Sequence, residues 1–476
     1  MFKNISEVLR LLRGLFEGSE YLMIPSSDAA RAVREQIADR GLFAYVLTFG
    51  CQQNEADSEK LRGMALEMGY RLTDDPEAAS LLLVNTCAIR EHAELRALSI
   101  IGGYKHIREK RPDAVIGVCG CMAAEAHRSD ELRRRYPYVS FTLAPGELHR
   151  LPERVLRALG RKRTFEPTDP ATYPAPVEGL PAVRTSRHRA WVSIMYGCNN
   201  YCTYCIVPYV RGREQSRPSD AVYAEVKELV SRGVRDITLL GQNVNSYRSD
   251  CDFAALLRRL SAIPGDFLLR FMTSHPKDVP EELIRAIGEC EKIAPHFHLP
   301  LQSGSDEVLS RMNRRYSTAR YLETVDALRA ARPGIALTSD IIVGFPGETD
   351  ADFEATLDML RRVRFDMIYS FIYSPRKGTP AATYPDAVPP SVSRERMERL
   401  LALQGELARE AAEPYLDTVC RVLVDEPSKD GRKGVMSGRT DTGKLVHFTT
   451  ENAEIGRYAR IRIERAEAFA LYGSEI

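Results

Sequence analysis

The chain has 476 residues, of which 44% are hydrophobic and 28% charged, and its formal net charge is +1. This composition is typical of a globular protein of about three domains, and it excludes one that binds nucleic acid through a basic overall charge. No uncharged apolar run approaches the about 18 residues of a membrane span, and Arg10 and Arg13 interrupt the apolar N-terminus where a signal peptide needs a continuous core. We therefore expect a cytoplasmic protein without membrane association.

The first part of the chain alternates short apolar strands with helices. Residues 1–40 predict a helical extension, and residues 41–158 predict a first domain. Its apolar runs and the helical patterns between them are 45–50, 56–68, 81–86, 90–109 and 114–118. This alternation predicts a parallel α/β sheet, in which ligands bind at the carboxyl ends of the strands. Cys51, Cys87 and the pair Cys119 and Cys121 lie at those ends.

A second βα series follows a proline-rich stretch. Residues 159–183 contain Pro167, Pro170, Pro174, Pro176 and Pro181 and predict an interdomain linker. Within residues 184–413 the predicted strands are 190–195, 236–240, 268–272, 297–301, 336–343 and 367–371. The predicted helices are 220–231, 281–289, 318–331, 350–362 and 394–413. Six such units predict a partial barrel, shorter than the complete barrel of eight.

The last segment, residues 414–476, changes in character. Short apolar runs at 422–424, 445–448 and 459–463 lie between glycine and aspartate turns. This pattern predicts a small antiparallel β-barrel. The basic residues of this segment are offset by acidic ones, the two sets being Arg432, Lys433, Arg439 and Lys444 against Asp425, Glu426, Asp430 and Asp441.

The motif that carries the most chemical information is Cys198, Cys202 and Cys205, directly after the first barrel strand. In a reducing compartment, grouped cysteines indicate metal binding or catalysis rather than disulfides. Three thiolates on one loop ligate three irons of a cubane cluster and leave the fourth iron open to a substrate or cofactor. The alternative is a structural zinc site, which takes four ligands, often in C-x2-C pairs, and no second pair lies nearby in the sequence.

The N-terminal cysteines admit two interpretations. They are either three soft ligands that converge on a second cluster or unrelated thiols, since cysteine is often fully buried. The recurrence of a cysteine at each strand end favours the cluster. We interpret Cys251, Cys290 and Cys420 as packing residues, and Cys119 as packing within its strand, although its position also fits a ligand.

The residues around these cysteines resemble the radical-SAM methylthiotransferase family. The similar segments are 48–54 (TFGCQQN), 85–90 (NTCAIR), 201–213 (YCTYCIVPYVRGR), 299–305 (LPLQSGS) and 342–348 (IVGFPGE). With the last segment, which resembles the RNA-binding TRAM domain, the resemblance covers nearly the whole chain. It implies an α/β fold with a flavodoxin-like N-terminal domain, a partial (β/α)6 radical-SAM barrel and the small β-barrel. It also implies that Cys121, rather than Cys119, joins Cys51 and Cys87 in holding the second cluster.

The resemblance also implies an activity and its cofactors. The most similar branch of the family adds a methylthio group to C2 of N6-isopentenyladenosine beside the anticodon of tRNA. It uses two [4Fe-4S] clusters and S-adenosylmethionine, which serves as both methyl donor and radical source. The implied partners are the tRNA anticodon stem-loop, a flavodoxin- or ferredoxin-type electron donor and a protein that delivers sulfur or clusters. We expect a monomer.

Two alternatives remain beside this interpretation. Sister branches modify threonylcarbamoyladenosine in tRNA or a ribosomal-protein aspartate. The segments at Cys51 and Cys87 favour the isopentenyl branch, although Gln53 stands where methionine is frequent. The other alternative is an RNA-binding scaffold without activity, and the presence of all six cluster cysteines argues against it.

Contacts with the cofactor and with RNA are predicted near the same loops. The resemblance implies that Tyr204 packs near the adenine of S-adenosylmethionine. Further candidates at or after strand ends are Gln242, Asn243, Asn245, Ser303, Asp340 and Phe345. The alternative is that each of these side chains only forms hydrogen bonds with nearby backbone groups. Arg211, Arg213 and Arg217 are predicted to contact the RNA backbone, because arginine suits phosphate binding, with solvated surface charge as the alternative.

Overall fold

The computed structural model describes residues 28–38, 40–88, 91–165, 169–428 and 434–476. Most of the predicted N-terminal extension, residues 1–27, lies outside the described residues. So do Arg90, Pro167, Asp430, Arg432 and Lys433. The described part of the extension forms helix α1 (Asp28–Gln36), which buries Ala30 and Val33 against the first domain.

The first domain is a parallel sheet with helices on both faces. In the described residues its strands are β1 (Phe43–Thr48), β2 (Arg71–Leu72), β3 (Leu81–Thr86), β4 (Val115–Gly120) and β5 (Phe141–Leu143). All pairs are parallel in the order β2-β1-β3-β4-β5, which is the flavodoxin-like order that was predicted. β3 and β4 are buried along their whole length, because helices cover the sheet on both sides.

The helices of this domain cover two apolar cores, which the sheet separates, one on each of its faces. They are α2 (Gln52–Glu67), α3 (Glu91–Gly103), α4 (Lys105–Lys110), α5 (Cys121–Ala124), α6 (Ala126–Arg135) and α7 (Leu151–Leu159). The prediction of one continuous helix over 90–109 is wrong. The helix is interrupted at Tyr104, after Gly102 and Gly103, because glycine has a low helix propensity.

The second domain contains the predicted six-stranded partial barrel. Its strands in the described residues are β6 (Arg189–Ser193), β9 (Asp236–Leu240), β10 (Leu268–Phe271), β11 (His296–His298), β12 (Ala336–Val343) and β13 (Met367–Ile372). They pair in parallel as β10-β9-β6 and β11-β12-β13, and a parallel bridge between Leu269 and Ile293 joins the two halves. β7 (Met195–Tyr196) and β8 (Gln215–Ser216) form a short antiparallel hairpin.

The fourth barrel strand ends earlier than predicted. β11 stops at His298, whereas the prediction extended to Leu301. At Leu301 the backbone N–H donates to the hydroxyl of Ser339, 2.8 Å away, instead of to a backbone carbonyl. At this position a side-chain hydrogen bond therefore takes the place of the backbone hydrogen bond that would continue the strand.

Within its described residues, the barrel contains the five predicted helices and three further helices. They are α8 (Val207–Arg211), α9 (Ser219–Ser231), α10 (Phe253–Ser261), α11 (Glu281–Glu289), α12 (Asp306–Arg311), α13 (Thr318–Ala331), α14 (Asp350–Val363) and α15 (Pro390–Ala412). Of these, α8, α10 and α12 were not predicted. α15 starts earlier than the predicted 394, because proline suits the first turn of a helix.

The last domain is a closed barrel of five strands within the described residues. The strands are β14 (Val419–Pro427), β15 (Val435–Thr440), β16 (Leu445–Thr449), β17 (Tyr458–Ala466) and β18 (Leu471–Glu475). The prediction of a fully antiparallel barrel is wrong at one pair, since β16 and β18 run parallel. An odd number of strands cannot alternate in direction around a closed ring, so one parallel pair is required.

Side-chain contacts join the three domains. Glu59 on α2 pairs with Arg184 at 2.8 Å, and Asp425 on β14 pairs with His188 at 3.0 Å and Arg189 at 2.6 Å. None of the helices in the described ranges combines the length and apolar character that a membrane crossing needs.

Candidate functional site

The three N-terminal cysteines lie at one edge of the first sheet. Cys51 follows β1 and caps α2, Cys87 follows β3, and Cys121 opens α5 directly after β4. Because β1, β3 and β4 are neighbours in a parallel sheet, their carboxyl ends deliver the three thiols to the same place.

Two glycines allow these strand ends to approach one another. Gly50 has φ +135°, and a Cβ there would lie 2.3 Å from Asn54 Oδ1 and 3.0 Å from Cys87 Cβ. Gly120 has φ +90°, and its Cβ would lie 2.4 Å from both Asn85 Oδ1 and the Thr86 carbonyl oxygen. Only glycine combines this backbone conformation with such close contacts.

A pair of buried asparagines ties the same turns together. Asn54 Oδ1 accepts the Cys51 N–H at 3.3 Å, while its amide nitrogen donates to Asn85 Oδ1 at 3.2 Å and to the Thr86 carbonyl at 3.1 Å. Asn85 donates in return to the Asn54 carbonyl at 2.8 Å. These amides hold the turn at Cys51 against the strand that ends before Cys87, a role that the sequence alone did not indicate.

Cys121 lies in contact with a buried arginine of the second domain. Arg211 Nε donates to Cys121 Sγ at 3.2 Å, and its Nη2 pairs with Asp57 Oδ2 at 3.1 Å. Burial, with a smaller contribution from the thiols of Cys87 and Cys51, raises the pKa of the Cys121 thiol to about 12 against the opposing effect of Arg211. A thiolate here therefore needs a compensating positive charge, such as a bound metal provides.

The second set of cysteines lies on a loop whose backbone is held by distant residues. The Thr203 N–H donates to the Met312 carbonyl at 3.1 Å, and the Thr203 carbonyl accepts the Ala381 N–H at 2.9 Å. The Asn313 amide donates to the carbonyls of Asn200 at 3.2 Å and Tyr201 at 3.0 Å. The loop is thus fixed by the end of α12 and by the segment after β13.

A second buried arginine contacts this loop. Arg314 Nη1 lies 3.5 Å from Cys202 Sγ, and its Nη2 donates to the Pro300 carbonyl at 2.8 Å. Burial is the main cause that raises the pKa of Cys198 to about 12, and it also raises the pKa of Cys205. In both cases neighbouring thiols of the set contribute to the increase. Each set of three cysteines therefore has one arginine at a thiol, and sequence patterns predicted neither contact.

The donor chemistry of both sets suits an iron–sulfur cluster. Within the described parts of the chain, no three His, Cys, Asp or Glu side chains gather around the position of a single metal ion. A cubane attaches each thiolate to a different iron, so its three protein ligands stand farther apart than those of one ion. All ten cysteines lie in described regions and none forms a disulfide. Cys119 is fully buried in the apolar core.

Several buried polar atoms at the barrel mouth have no hydrogen-bond partner among the residues that the structure describes. They follow the carboxyl ends of β9, β10 and β13 and are Gln242 Oε1, Asn243 Oδ1, Ser274 Oγ, His275 Nε2 and Tyr373 Oη. His275 Nδ1 accepts the Lys277 N–H at 3.2 Å. Burial, with the charges of Arg314, Lys277 and Arg315, lowers the pKa of His275. The neutral ring then carries its proton on Nε2, a buried donor suited to a polar cofactor.

Three of the predicted cofactor residues are placed differently from the prediction. Both polar atoms of the Asn245 amide bond the backbone of residues 275–278, and Ser303 is fully buried and accepts the Ser305 N–H at 3.2 Å. Local backbone uses these hydrogen bonds, as in the alternative interpretation of both residues. Asp340 lies within β12 rather than at its end, with Oδ2 3.6 Å from His298 Nε2.

Aromatic side chains gather beside the second cysteine loop. Tyr204 and Phe345 belong to one apolar cluster, in which the Phe345 ring lies 5.3 Å from the Tyr373 ring and 6.2 Å from the Tyr384 ring. On β13, Tyr369 and Phe371 remain exposed and are paired in register with Asp340 and Ile342 of β12. The barrel mouth thus offers aromatic surface next to the candidate cofactor residues.

Two of the three arginines predicted to contact RNA are buried. Arg211 bonds Cys121 and Asp57, and Arg217 pairs with Glu178 at 2.6 Å and Glu225 at 2.7 Å. Their predicted role on the RNA surface is wrong, because interior partners occupy both guanidinium groups. Arg213 is exposed and lines a cavity together with Lys60 and His149.

Comparison with known proteins supports this architecture. Residues 192–360 match the Radical SAM superfamily, residues 44–144 match the Uncharacterized protein family UPF0004, and residues 415–475 match the TRAM domain. Among solved structures, the radical S-adenosylmethionine methyltransferase TsrM from Kitasatospora setae is similar in fold. The TM-score is 0.54 at 18% identity, over 71% of this chain and 77% of the other.

Curated relatives are similar along nearly their whole length. The tRNA-2-methylthio-N(6)-dimethylallyladenosine synthase of Thermoanaerobacter pseudethanolicus is 45% identical over 93% of this chain and 94% of its own. The protein of the same name from Alkaliphilus oremlandii is 46% identical over 90% and 92%, and that from Clostridium tetani is 43% identical over 92% and 97%.

Proposed function

Because the chain belongs to the tRNA-2-methylthio-N(6)-dimethylallyladenosine synthase family, we propose that it adds a methylthio group to C2 of N6-isopentenyl (dimethylallyl) adenosine at position 37, beside the anticodon of tRNA. The observation that carries this function is the pair of cysteine sets, one gathered at three strand ends and the other on a single loop, in a chain similar to these synthases over 93% of its length. The cofactors are two [4Fe-4S] clusters and S-adenosylmethionine. When bound, they supply one-electron chemistry and the methyl and sulfur groups.

We assign one cluster to each set of cysteines. Cys198, Cys202 and Cys205 hold the cluster at which S-adenosylmethionine binds, because Glu214 Oε1 accepts hydrogen bonds from both the Asn199 N–H of their loop and the Asn243 amide at the barrel mouth. Cys51, Cys87 and Cys121 hold the cluster associated with sulfur. Asn243, Gln242 and His275 face the cofactor with free hydrogen-bonding atoms, and Tyr204 and Phe345 supply apolar contact.

The substrate adenosine is unreactive at C2, and the role of the protein is to hold it beside the cofactor and to exclude water. Tyr369 and Phe371 at the barrel mouth offer a surface on which a base and an apolar isopentenyl group pack. Arg213 and the last domain contact the RNA backbone. The domains extend over residues 41–158, 184–413 and 414–476, with a linker at 159–183.

The remaining partners follow from the chemistry. A flavodoxin- or ferredoxin-type protein supplies electrons, and a delivery protein supplies sulfur or clusters. The chain acts as a monomer in the cytoplasm.

The test is an assay of the reconstituted protein on one anticodon stem-loop in three forms, with adenosine, isopentenyladenosine or threonylcarbamoyladenosine at the target position. We expect methylthio product from the isopentenyl form and much less from plain adenosine, since each methylene in an apolar pocket contributes about 1–3 kcal/mol of discrimination. Mass spectrometry of the released nucleosides gives the product. Preference for the threonylcarbamoyl form would overturn the proposed substrate.

Variants of the two cysteine sets separate their roles. Cys198→Ala should abolish reductive cleavage of S-adenosylmethionine. Cys87→Ala should retain cleavage to 5′-deoxyadenosine and lose the methylthio product. The reverse pattern would exchange the two assignments.

A further inference from the structure

Arg211 connects the two cysteine sets. It is the last residue of α8, a helix that begins shortly after Cys205 on the second cysteine loop. Its side chain crosses the domain boundary to reach Cys121 Sγ at 3.2 Å and Asp57 Oδ2 at 3.1 Å, both in the first domain. The segment that carries the second set therefore also places a cation against the first.

The contact is built from buried groups on every side. The Arg211 side chain is 4% exposed and that of Asp57 is 2% exposed. Asp57 Oδ1 accepts a further N–H from Gln53 at 3.1 Å, and Cys121 packs with Tyr173, Ile206 and Val210 in an apolar cluster. In such surroundings charges are weakly screened, so a cation at a sulfur ligand acts strongly on the charge that the ligand carries.

We propose that Arg211 is a positioning residue that sets the reduction potential of the cluster held by Cys51, Cys87 and Cys121, and that Asp57 limits its effect. The inference rests on the proposed function, because it requires a cluster at these cysteines. Hydrogen bonds to the sulfurs and the nearby net charge are what set the potential of such clusters. A cation stabilises the reduced, more negative state, so Arg211 raises the potential and the Asp57 carboxylate lowers it.

The second set has a different electrostatic partner. Arg314 contacts Cys202 Sγ, but its other partners are neutral, namely the Pro300 carbonyl at 2.8 Å and the Tyr316 hydroxyl at 3.3 Å. Arg211 is thus offset by a carboxylate, whereas the contacts of Arg314 are with a thiol, a carbonyl and a hydroxyl. Each set therefore has its own arginine, and the net charge around the two arginines differs because only Arg211 is paired with a carboxylate.

The experiment isolates the first cluster. The background protein carries Cys198→Ala, Cys202→Ala and Cys205→Ala, so that after anaerobic reconstitution it should retain about four irons per chain. Redox titration followed by electron paramagnetic resonance then gives the potential with Arg211→Met, Asp57→Asn or Arg211→Lys added. The matched control is Arg217→Met, which removes a buried arginine that pairs with Glu178 and Glu225 instead of with a thiol.

The two charge changes should move the potential in opposite directions. Arg211→Met should lower it by at least the 59 mV that corresponds to a tenfold change in the one-electron equilibrium, and Asp57→Asn should raise it. Arg211→Lys should restore part of the loss, and Arg217→Met should leave the potential unchanged. If Arg211→Met does not fold, Asp57→Asn, which keeps the size of the side chain, still decides the sign.

The possible failures are distinguishable. A background protein that binds no iron would contradict the cluster assignment, and with it the proposed function. A background protein with about four irons, whose potential stays constant in both Arg211→Met and Asp57→Asn or shifts in the same direction in both, would overturn the role of Arg211 alone.

Discussion

Single residues at the strand ends determine whether the N-terminal thiols can meet. Gly120→Ala would place a Cβ 2.4 Å from Asn85 Oδ1 and the Thr86 carbonyl oxygen, at φ +90°. We expect destabilisation by about 1–3 kcal/mol and reduced iron content in the first set. Thermal unfolding and iron analysis measure the two effects. Gly103→Ala is the control, because a Cβ there has nothing within 4 Å, and this variant should be neutral or more stable.

Glu125, between α5 and α6, makes the stability of the protein depend on pH. Burial and the nearby Glu94 raise the pKa of Glu125 from its ordinary 4.5 to about 7, against the opposing effect of Arg128 and Arg376. Between about pH 4.5 and pH 7 the Glu125 carboxyl therefore holds its proton in the folded protein, whereas in the unfolded chain it is ionised. The resulting contribution to stability is present at pH below 4.5 and is lost as the pH rises through about 7.

Glu125→Gln removes this ionisation and should make the free energy of unfolding less dependent on pH. The free energy of unfolding of the variant minus that of the parent should be larger at about pH 8 than at about pH 5.5. Urea unfolding of both proteins at the two pH values is the measurement. A stability difference that does not change with pH would contradict the raised pKa.

The cysteines and Arg211 differ in how far the sequence alone determines their role. The spacing of Cys198, Cys202 and Cys205 places three thiols on one loop without any tertiary information. The role of Arg211 depends on Asp57, far away in the sequence, so its charge alone suggests an exposed phosphate contact. The structure instead pairs this arginine in the interior.

Secondary structure elements hold the second cysteine loop through their ends rather than their faces. Asn313 follows α12 with φ +59°, and its amide bonds the carbonyls of Asn200 and Tyr201. Asn313→Gly keeps this backbone conformation accessible and removes both hydrogen bonds. We expect faster loss of iron from the second set and an unchanged first set, measured by iron release under air in backgrounds that hold one cluster each. Equal rates in variant and parent would show that the amide does not hold the loop.

The elements themselves could largely be predicted. α11 and α13 have the predicted bounds, because their apolar periodicity is regular and Ser317 caps α13 by accepting the Arg320 N–H at 3.2 Å. β2 and β5 were not predicted, since two or three residues are too few to show an alternation. Their places in the sheet are set by tertiary pairing with β1 and β4.

Across the whole molecule, polar contacts hold the last barrel against the second domain. Arg270 on β10 pairs with Asp236 at 2.9 Å and donates to the carbonyls of Asp441 at 2.9 Å and Thr440 at 3.2 Å in the last barrel. Arg270→Met leaves Asp236 buried without this charge and should destabilise the protein by about 3 kcal/mol. It should also speed proteolysis between the two barrels, as followed by mass spectrometry. Adding Asp236→Asn should recover part of the stability, and no recovery would contradict the ion-pair explanation.

The backbone hydrogen bonds of the second cysteine loop determine which of the two cysteine sites can form first during translation. The sheet that presents Cys51, Cys87 and Cys121 is complete once α7 has left the ribosome. The loop with Cys202 must wait for Met312 and finally for Ala381. Since domains fold as units from the N-terminus during synthesis, iron can reach the first site on a nascent chain, before Arg211 arrives. The second site becomes available only near the end of synthesis.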